Sequence, residues 1–341
     1  NALYIIDATT GALIFSISGT GSGADIEVPE MRYAIPTNVN AFDSNGDDRL
    51  DRVYFGDVAG QVWRVDLINV NPGAVKPEGD SVVGLLANIS TPGSLADERR
   101  FFYRPTVVQV IDTEFSNAIG GEYDYVAIGT GNRANPLDTE VNDRFYAFRD
   151  VHIGPLVSGT GASSGLAVDY PQIIDATSGG SPITHNELID ATDLANDGLA
   201  GQDKNLLGWY YDFDLDGLTV GSDGEKVLAA TSVFAGTLIF TTYIPDDSTT
   251  VADQCSAAEG SGAAYNFDIL STKAAIDWDG DGIITDADRR AELGTGIPSE
   301  GVPIFTKEGV TVLVGTGGGA ENLGKVSELP RINTYWYEEN Y

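Results

Sequence analysis

Short runs of apolar and β-branched residues, separated by Gly, Asp and Asn, recur from one end of the chain to the other. In the first, residues 3–6 and 13–15 are apolar and flank a segment that begins at Asp7 and includes Gly11. Asp starts tight turns through its side chain, and Gly accepts positive φ. This run therefore predicts a β-hairpin.

Further strand pairs are predicted by the same pattern. They are residues 104–110 with 123–129, 225–229 with 237–243, and 302–305 with 310–315. Three aromatic-rich strands that end at or near an aspartate recur at 62–67, 145–150 and 264–269. Degenerate repeats of one strand unit are typical of blades, so we expect an all-β fold built as a β-propeller, with a β-sandwich as the main alternative.

Few segments depart from the strand pattern. Residues 185–194 predict one short acidic helix, and the Gly/Ser-rich segment 154–180 predicts a long surface loop. The last alternating run, residues 331–337, is suited to close a ring against the first blade. Composition shows no break along the chain, so residues 1–341 are expected to form a single domain.

The net charge of the chain excludes some classes of binding partner. With 51 acidic and 19 basic residues, the formal net charge is −32. Nucleic acids and anionic membrane surfaces require clustered positive charge, so neither is an expected partner. No run approaches the roughly 18 apolar residues of a membrane span. The acidity indicates either a solvated surface, or cation binding or a salty habitat.

Cysteine and histidine are scarce. The single cysteine, Cys255, excludes an internal disulfide and cysteine-based zinc sites, and the only histidines are His152 and His185. The chain begins abruptly inside a strand-like pattern, which we interpret as a piece of a longer protein.

The stretch from Asp43 to Asp51 is the most chemically specific. Calcium takes about six to eight oxygen ligands, which loop positions 1, 3, 5 and 9 supply from side chains and position 7 from its carbonyl. The sequence therefore predicts a calcium loop, with an acidic turn as the alternative. The expected ligands are Asp43, Asn45, Asp47, the Arg49 backbone carbonyl and Asp51.

A second loop fits the twelve-residue calcium template, with Gly282 at position 6. Its acid at position 12 is Asp rather than Glu, and this shorter side chain predicts weaker binding. No helix is predicted before the loop, so we expect an isolated calcium loop inserted in a β scaffold. Its expected ligands are Asp277, Asp279, Asp281, the Ile283 backbone carbonyl and Asp288.

A third loop, with Asp212, Asp214 and Asp216 followed by Gly217, is a weaker calcium candidate. We expect all three loops to be structural rather than catalytic, because an ion would relieve repulsion among their carboxylates. The sequence lacks the G-x-S-x-G, H-E-x-x-H and P-loop motifs of common enzyme classes. The chain is therefore not expected to be an enzyme.

Several stretches in a specific order resemble the C-terminal propeller of PilY-type proteins, which act in type IV pilus biogenesis and adhesion. They are the loop at 43–51 running into VYFGD and GQVWRVDL, then GTGNR with Pro136 and RFYA, then GWY followed by GEKVL, and finally FTTYIP leading to Cys255. Together they cover roughly residues 1–320.

This resemblance implies a modified, about seven-bladed propeller of quinoprotein-like type with inserted loops, located extracellularly at the cell surface or pilus tip. It implies a calcium site at Asp43, Asn45, Asp47 and Asp51 that governs pilus extension against retraction. The implied partners are pilin or minor pilins, other pilus-tip components and a host or surface receptor. The loops at Asp277 and Asp212 are not part of the family pattern.

Two other functions remain open at this stage. A quinone- and calcium-dependent dehydrogenase uses the same fold class, but many such enzymes carry an adjacent cysteine pair that stacks on the cofactor, and one cysteine cannot form such a pair. A glycan- or protein-binding surface module is the other, with Trp209, Tyr210 and Tyr211 as contacts unless these side chains pack between blades.

Overall fold

The computed structural model describes residues 1–67, 81–91, 93–112, 121–154, 181–194, 198–203, 206–213, 224–246, 259–306 and 309–326. Within these ranges the chain is all-β, with strands β1–β20 in five sheets. Helical residues there are confined to the 3₁₀ turns Leu95–Asp97, His185–Glu187 and Asp286–Arg289. None of these turns has the length or apolarity that crossing a bilayer requires.

The first two sheets follow chain order. Sheet I contains β1 (Ala2–Ile6), β2 (Leu13–Ser18) and β3 (Ile26–Glu27). Sheet II contains β4 (Asn40–Phe42), β5 (Arg52–Gly56), β6 (Gln61–Asp66) and β7 (Val82–Asn88). The β1–β2 hairpin is the predicted one, and the Asp7 carboxylate accepts the backbone N–H groups of Thr9 and Thr10 in its turn.

Sheets III to V are also mainly antiparallel, although β11 pairs with β12 in parallel, as β3 pairs with β2 in sheet I. Sheet III has the strand order β11-β12-β10-β9-β8, and is made of β8 (Thr106–Ile111), β9 (Glu122–Gly129), β10 (Arg144–Asp150), β11 (Ile189–Asp190) and β12 (Gly208–Asp212). Sheet IV contains β13 (Lys226–Val227), β14 (Ser232–Phe234), β15 (Thr237–Ile244), β16 (Ser261–Asp268) and β17 (Arg290–Thr295). Sheet V contains β18 (Val302–Thr306), β19 (Gly309–Thr316) and β20 (Gly319–Val326).

The predicted strand pairs are confirmed as β8–β9, β13–β15 and β18–β19. The three repeated aromatic strands are β6, β10 and β16, and each lies inside its sheet between two partners. The helix predicted over 185–194 is wrong beyond its first turn. His185–Glu187 is a 3₁₀ turn closed by a Thr184–Glu187 capping box, and β11 follows it at once.

Middle sheets are buried on both faces because successive side chains of a strand point to opposite sides. On β5, Val53 and Phe55 pack in the cluster shared with sheet I, whereas Tyr54 packs in the cluster shared with sheet III. On β15, Phe240 faces sheet III and Ile239 faces sheet V. Each sheet therefore packs against the next one along the chain.

Hydrogen bonds from side chains to backbone carbonyls also link neighbouring sheets. They join sheets II and III, III and IV, and IV and V in turn: Asn40 to Pro105 (3.0 Å), Thr106 to Thr231 (2.6 Å), and Ser232 to Gly301 (3.0 Å). Five separate sheets do not fit a two-sheet sandwich. No closed ring is detected among the described residues, so the seven-bladed propeller stays a prediction. The segments 155–180 and 327–341, which include the predicted surface loop and closing strand, lie outside the described residues.

A buried charged network lies between sheets II and III. Arg64 on β6 donates two hydrogen bonds to Asp66, at 2.6 and 2.8 Å, and one to Asp150 on β10, at 2.9 Å. Tyr54 donates to both Asp150 (2.5 Å) and Asp124 on β9 (2.9 Å). All of these side chains are buried, so the charges have little water to screen them.

Arg52 on β5 completes this network through an ion pair with Asp124. Its second guanidinium nitrogen donates to the carbonyl of Ile153 at 2.7 Å. Burial raises the pKa of Asp124, and the negative charge of Asp150 adds to the rise, although Arg52 opposes it. The network therefore holds three carboxylates against two guanidinium groups in a buried interface.

Replacing Arg64 with Met should destabilise the fold strongly. The apolar side chain fills similar space but removes the Arg64 guanidinium from Asp150 and leaves Asp66 with only the longer ion pair to Arg52 at 3.7 Å. Removing one partner of a buried ion pair costs about 3–5 kcal/mol. Tyr54→Phe, which removes one hydroxyl from the same network, should cost only about 1–2 kcal/mol. Urea unfolding of both variants measures the difference. Equal and small losses would contradict a structural role for the network.

Asp143, just before β10, is a second buried carboxylate. It is 2% exposed, and neither of its oxygens has a hydrogen-bond partner in the described part of the chain. Burial raises its pKa from 3.8 to about 6, and the nearby Thr130 side chain and the positive charges of Lys226 and Arg99 offset only part of this rise. The folded protein therefore binds a proton here more tightly than the unfolded chain does.

Asp143 should make stability fall as pH rises. Between about pH 4 and pH 6 the folded form holds the proton that the unfolded form has lost, so the free energy of unfolding decreases by about 3 kcal/mol across this window. Asp143→Asn cannot titrate. The stability of this variant relative to the wild type should therefore increase by that amount from pH 4 to pH 7 in urea titrations. A pH-independent difference between the two proteins would rule out the raised pKa.

Candidate calcium-binding loops

The Asp43 loop connects β4 to β5, which are antiparallel neighbours in sheet II. Asp43 Oδ1 accepts the backbone N–H groups of Asn45, Gly46 and Asp47 at 2.7–3.2 Å, and Oδ2 accepts that of Asp48 at 2.7 Å. The side chains at positions 3 and 5 each accept the N–H two residues on, at 2.9 and 3.0 Å. The loop is thus wound around its own first carboxylate.

Asp51 closes this loop at position 9. Its two oxygens accept the backbone N–H and the hydroxyl of Ser44 at 2.8 and 2.9 Å. The backbone of Asp51 also bonds to Phe42 and Leu67, and Gln109 of sheet III donates to the Ser44 carbonyl at 3.0 Å. The ends of the loop are therefore fixed by the sheet while its tip is exposed.

The Asp277 loop lies between β16 and β17 in sheet IV and repeats this hydrogen-bond scheme. Asp277 accepts the N–H groups of Gly280 (2.7 Å) and Gly282 (2.8 Å), which are positions 4 and 6. Asp279 and Asp281 each accept the N–H two residues on, at 3.0 and 2.7 Å. At position 3 this loop has an aspartate, Asp279, whereas the Asp43 loop has an asparagine, Asn45.

The backbones of the two loops also agree at the positions that need positive φ. Position 4 is glycine in both, with φ of 78° at Gly46 and 75° at Gly280. At position 6 the second loop has Gly282 with φ 88°, whereas the first has Asp48 with φ 65°. Positive φ at a non-glycine residue is uncommon. Two stretches of different sequence thus adopt similar turns, with positive φ at positions 4 and 6 in both.

Asp288 closes the second loop at position 12. Its carboxylate accepts the backbone N–H groups of Trp278 (2.9 Å) and Thr285 (2.8 Å), and Asp288 as a whole is buried. Asn266 on β16 holds both ends of the insertion. Its Oδ1 accepts the N–H of Ile276 at 2.9 Å, and its Nδ2 donates to the Asp288 carbonyl at 2.6 Å. Nothing in the sequence pattern of β16 indicated this anchor.

The first carboxylate of the Asp43 loop and the closing carboxylate of the Asp277 loop are held in their charged form. Desolvation acts to raise the pKa of Asp43, but the backbone N–H groups of Gly46, Asp48, Asn45 and Asp47 outweigh it and lower the pKa. The pKa of Asp288 is likewise lowered, because backbone N–H groups outweigh its desolvation. Ionised carboxylates are the form that ligates calcium.

The loops differ in how closely their acids approach. The carboxylates of Asp277, Asp279 and Asp281 each present an oxygen within 4.8 Å of the others, and this is the one such acidic group among the described residues. Asp288 is not a member of it. The Asp43 loop has an asparagine, Asn45, at position 3, and its closing acid Asp51 is bonded to Ser44. Three carboxylates therefore lie close together in the Asp277 loop.

The third predicted loop is described only at its start. Asp212 ends β12 and forms an ion pair with Arg144 at 2.6 Å, so this carboxylate is engaged by a guanidinium. Asp214 and Asp216 lie outside the described residues. The aromatic cluster considered as a ligand contact is packed inside the fold: Trp209 and Tyr211 are buried, and the Tyr210 hydroxyl donates to Asp190 at 2.9 Å.

The motif that follows the first loop is a structural turn. Asp57 Oδ1 accepts the N–H groups of Ala59 and Gln61, and Oδ2 accepts the indole N–H of Trp63 at 3.1 Å. Gly60 has a φ of 70°, and a Cβ there would lie 2.7 Å from the Ser90 Cβ. The spacing Asp-x-x-Gly-x-x-Trp is thus fixed by the β5–β6 turn.

The chain is similar to known proteins in both sequence and fold. The chain is 26% identical over 283 residues, 80% of its length, to the type IV pilus biogenesis factor PilY1 homolog of Xylella fastidiosa (strain Temecula1). The crystal structure of the Pseudomonas aeruginosa PilY1 C-terminal domain matches 94% of the chain with a TM-score of 0.56 and 19% identity. The resemblance to PilY-type proteins is confirmed. No family model matches the chain.

The match covers only part of each relative. The chain spans 17% of the length of the Xylella PilY1 homolog and 65% of the Pseudomonas PilY1 chain. At 19% identity, the structural likeness to the PilY1 C-terminal domain establishes the fold alone.

Gly60→Ala should destabilise the protein more than Gly11→Ala does. Both glycines have nearly the same φ, 70° and 71°, but Gly11 has open space around it. The left-handed conformation alone costs about 1–2 kcal/mol, and the clash with Ser90 should add about 1–3 kcal/mol. Urea unfolding of the two variants isolates the close approach. An equal loss of unfolding free energy in the two variants would show that Ser90 moves aside without an energetic cost.

Proposed function

We propose that this chain is a calcium-binding, surface-exposed β-propeller that acts in type IV pilus biogenesis, in extension against retraction, and in adhesion. The pilus role is supported by the similarity to PilY-type proteins in sequence and fold. Its partners would be pilin or minor pilins and other pilus-tip components, with a host or surface receptor as an adhesive target. The acidic chain fits a location outside the cell, where calcium is abundant.

The propeller part of the proposal is supported by the order of packing. Sheets I to V contact one another in chain order through three apolar clusters, which lie between sheets I and II, among sheets II to IV, and between sheets IV and V. The repeated aromatic strands β6, β10 and β16 occupy interior positions in three successive sheets. Serial packing of similar antiparallel sheets is the arrangement of propeller blades.

Calcium binding is the chemical core of the proposal, and one observation carries it. Two loops in different sheets wind in the same way around a first aspartate, with oxygens at positions 1, 3 and 5 and a closing acid. In the Asp277 loop three carboxylates already approach within 4.8 Å. In the Asp43 loop an ion would draw Asp51 away from Ser44. The carbonyls at position 7, those of Arg49 and Ile283, would complete each set.

Calorimetric titration of the chelator-treated chain with calcium should reveal two sites. Asp47→Asn and Asp281→Asn are matched changes, because each residue is at position 5 and accepts only the N–H of position 7 among the described contacts. In each variant, calcium should bind at one of the two sites at least about tenfold more weakly, because one charged ligand has been removed from that site. The double variant should lose both.

Retained two-site binding in either variant would remove that loop from the proposal. The pilus role is tested separately by introducing Asp47→Asn into the full-length protein in its own cells. Surface pili and twitching motility should change in the same direction as they do on calcium depletion. Normal piliation with an empty Asp43 loop would separate calcium binding from pilus function.

A further inference from the structure

A cavity of about 860 Å³ opens where connecting segments of sheets II to V meet. Its walls come from the segments before β4 and β8, after β9 and β13, between β17 and β18, and at the β19–β20 turn. This volume lies within the range of about 300–1,000 Å³ that is typical of small-molecule sites. Neither calcium loop contributes to it.

The walls are tied to the sheets by hydrogen bonds. The hydroxyl of Thr241 on β15 donates to the Ser299 carbonyl at 2.9 Å, and Gly315 N–H donates to the Ser299 hydroxyl at 2.9 Å. Thr106 on β8 bonds to the Thr231 carbonyl, which follows the cavity wall at 228–230. The cavity is therefore formed before any ligand arrives, which lowers the entropy lost on binding.

The charge of this cavity is opposite to that of the chain. Arg104 and Arg133 line it, both are exposed, and neither forms a hydrogen bond or ion pair with the rest of the described chain. Most other arginines in the described ranges are ion-paired, as Arg52, Arg64 and Arg144 are. Glu300 also lines the cavity, but its carboxylate lies beyond ion-pair distance of both guanidinium groups. Two unpaired cations in a chain of charge −32 define a local anion site.

Neutral polar and apolar groups share the same walls. The Asn38 amide and the Tyr103 hydroxyl have no partner among the described residues, so both are available to a ligand. Phe102, Leu228 and Pro298 supply apolar surface beside them. A ligand that matches these walls carries a carboxylate for the guanidinium groups, hydroxyls for the amide and phenol, and a compact body with apolar faces.

We infer that this cavity binds an acidic sugar, a uronic-acid unit whose carboxylate is held by Arg104 and Arg133. A peptide C-terminus carries the same carboxylate, but such ends are captured by sets of free backbone N–H groups. Here the N–H groups of Gly315 and Gly317 are already bonded to Ser299 and to the Thr295 carbonyl. The sugar hydroxyls, by contrast, meet the free ends of Asn38 and Tyr103.

The test is an NMR titration of the 341-residue chain with methyl glucuronide and with methyl glucoside, which differ only in a carboxylate against a hydroxymethyl group. The glucuronide should bind at least about tenfold more tightly, because only it forms charge-assisted pairs with the guanidinium groups. Arg104→Gln and Arg133→Gln should each weaken it by about tenfold for the same reason. Arg32→Gln, an exposed arginine outside the cavity, should leave the affinity unchanged.

Equal binding of the two sugars, or binding that survives both glutamine variants, would overturn the assignment. A tripeptide with a free C-terminus that binds more tightly than the glucuronide, and loses affinity on amidation, would overturn it in favour of a peptide site. Repeating the titrations with calcium chelated keeps this result separate from the calcium proposal, because glucuronide binding should persist. Thermal unfolding of the variants confirms that the exposed substitutions leave the fold intact.

Discussion

The contact between sheets II and III depends on a buried charged network rather than on apolar packing alone. Arg64 reaches from β6 to Asp150 on β10, and Tyr54 on β5 bonds to Asp150 and Asp124. Burying these charges costs desolvation energy that close pairing must offset, and removing one partner would leave an uncompensated buried charge. The network therefore sets the relative position of two sheets strictly, and both the Asp43 loop and the segment before β8 are attached to those sheets.

The same logic explains where function is placed. The sheets pack in chain order through apolar clusters, so the strands have little freedom to vary and chemistry is left to the connections. The Asp43 and Asp277 loops leave two different sheets, yet both wind around a first aspartate with positive φ at positions 4 and 6. The arginine-lined cavity is also built from connections. In many folds the rigid sheets serve as a scaffold, and the binding residues lie on the loops that connect the strands.

Much of the local structure was readable from the sequence. Alternation of apolar and polar residues located the β1–β2 hairpin and the later strand pairs, because side chains alternate across a sheet. Loop spacing located both candidate calcium loops, since oxygen ligands at alternate positions follow from turn geometry. The prediction over residues 185–194 was wrong beyond its first turn because a short acidic pattern does not distinguish a helix from a 3₁₀ turn that leads into a strand.

By itself, then, the sequence determined the all-β class, the strand pairs, the turn motifs and the spacing of loop oxygens, all of which depend on residues close together in the chain. Only the tertiary structure decided which charges meet. It paired Arg64 with Asp150, turned Asp51 toward Ser44 and buried Asp143. It also placed Arg104 and Arg133 in one cavity, where neither has an ion-pair partner among the residues that the structure describes. These outcomes depend on contacts between sheets far apart in sequence, where desolvation and distance, rather than local pattern, set the energy of each charge.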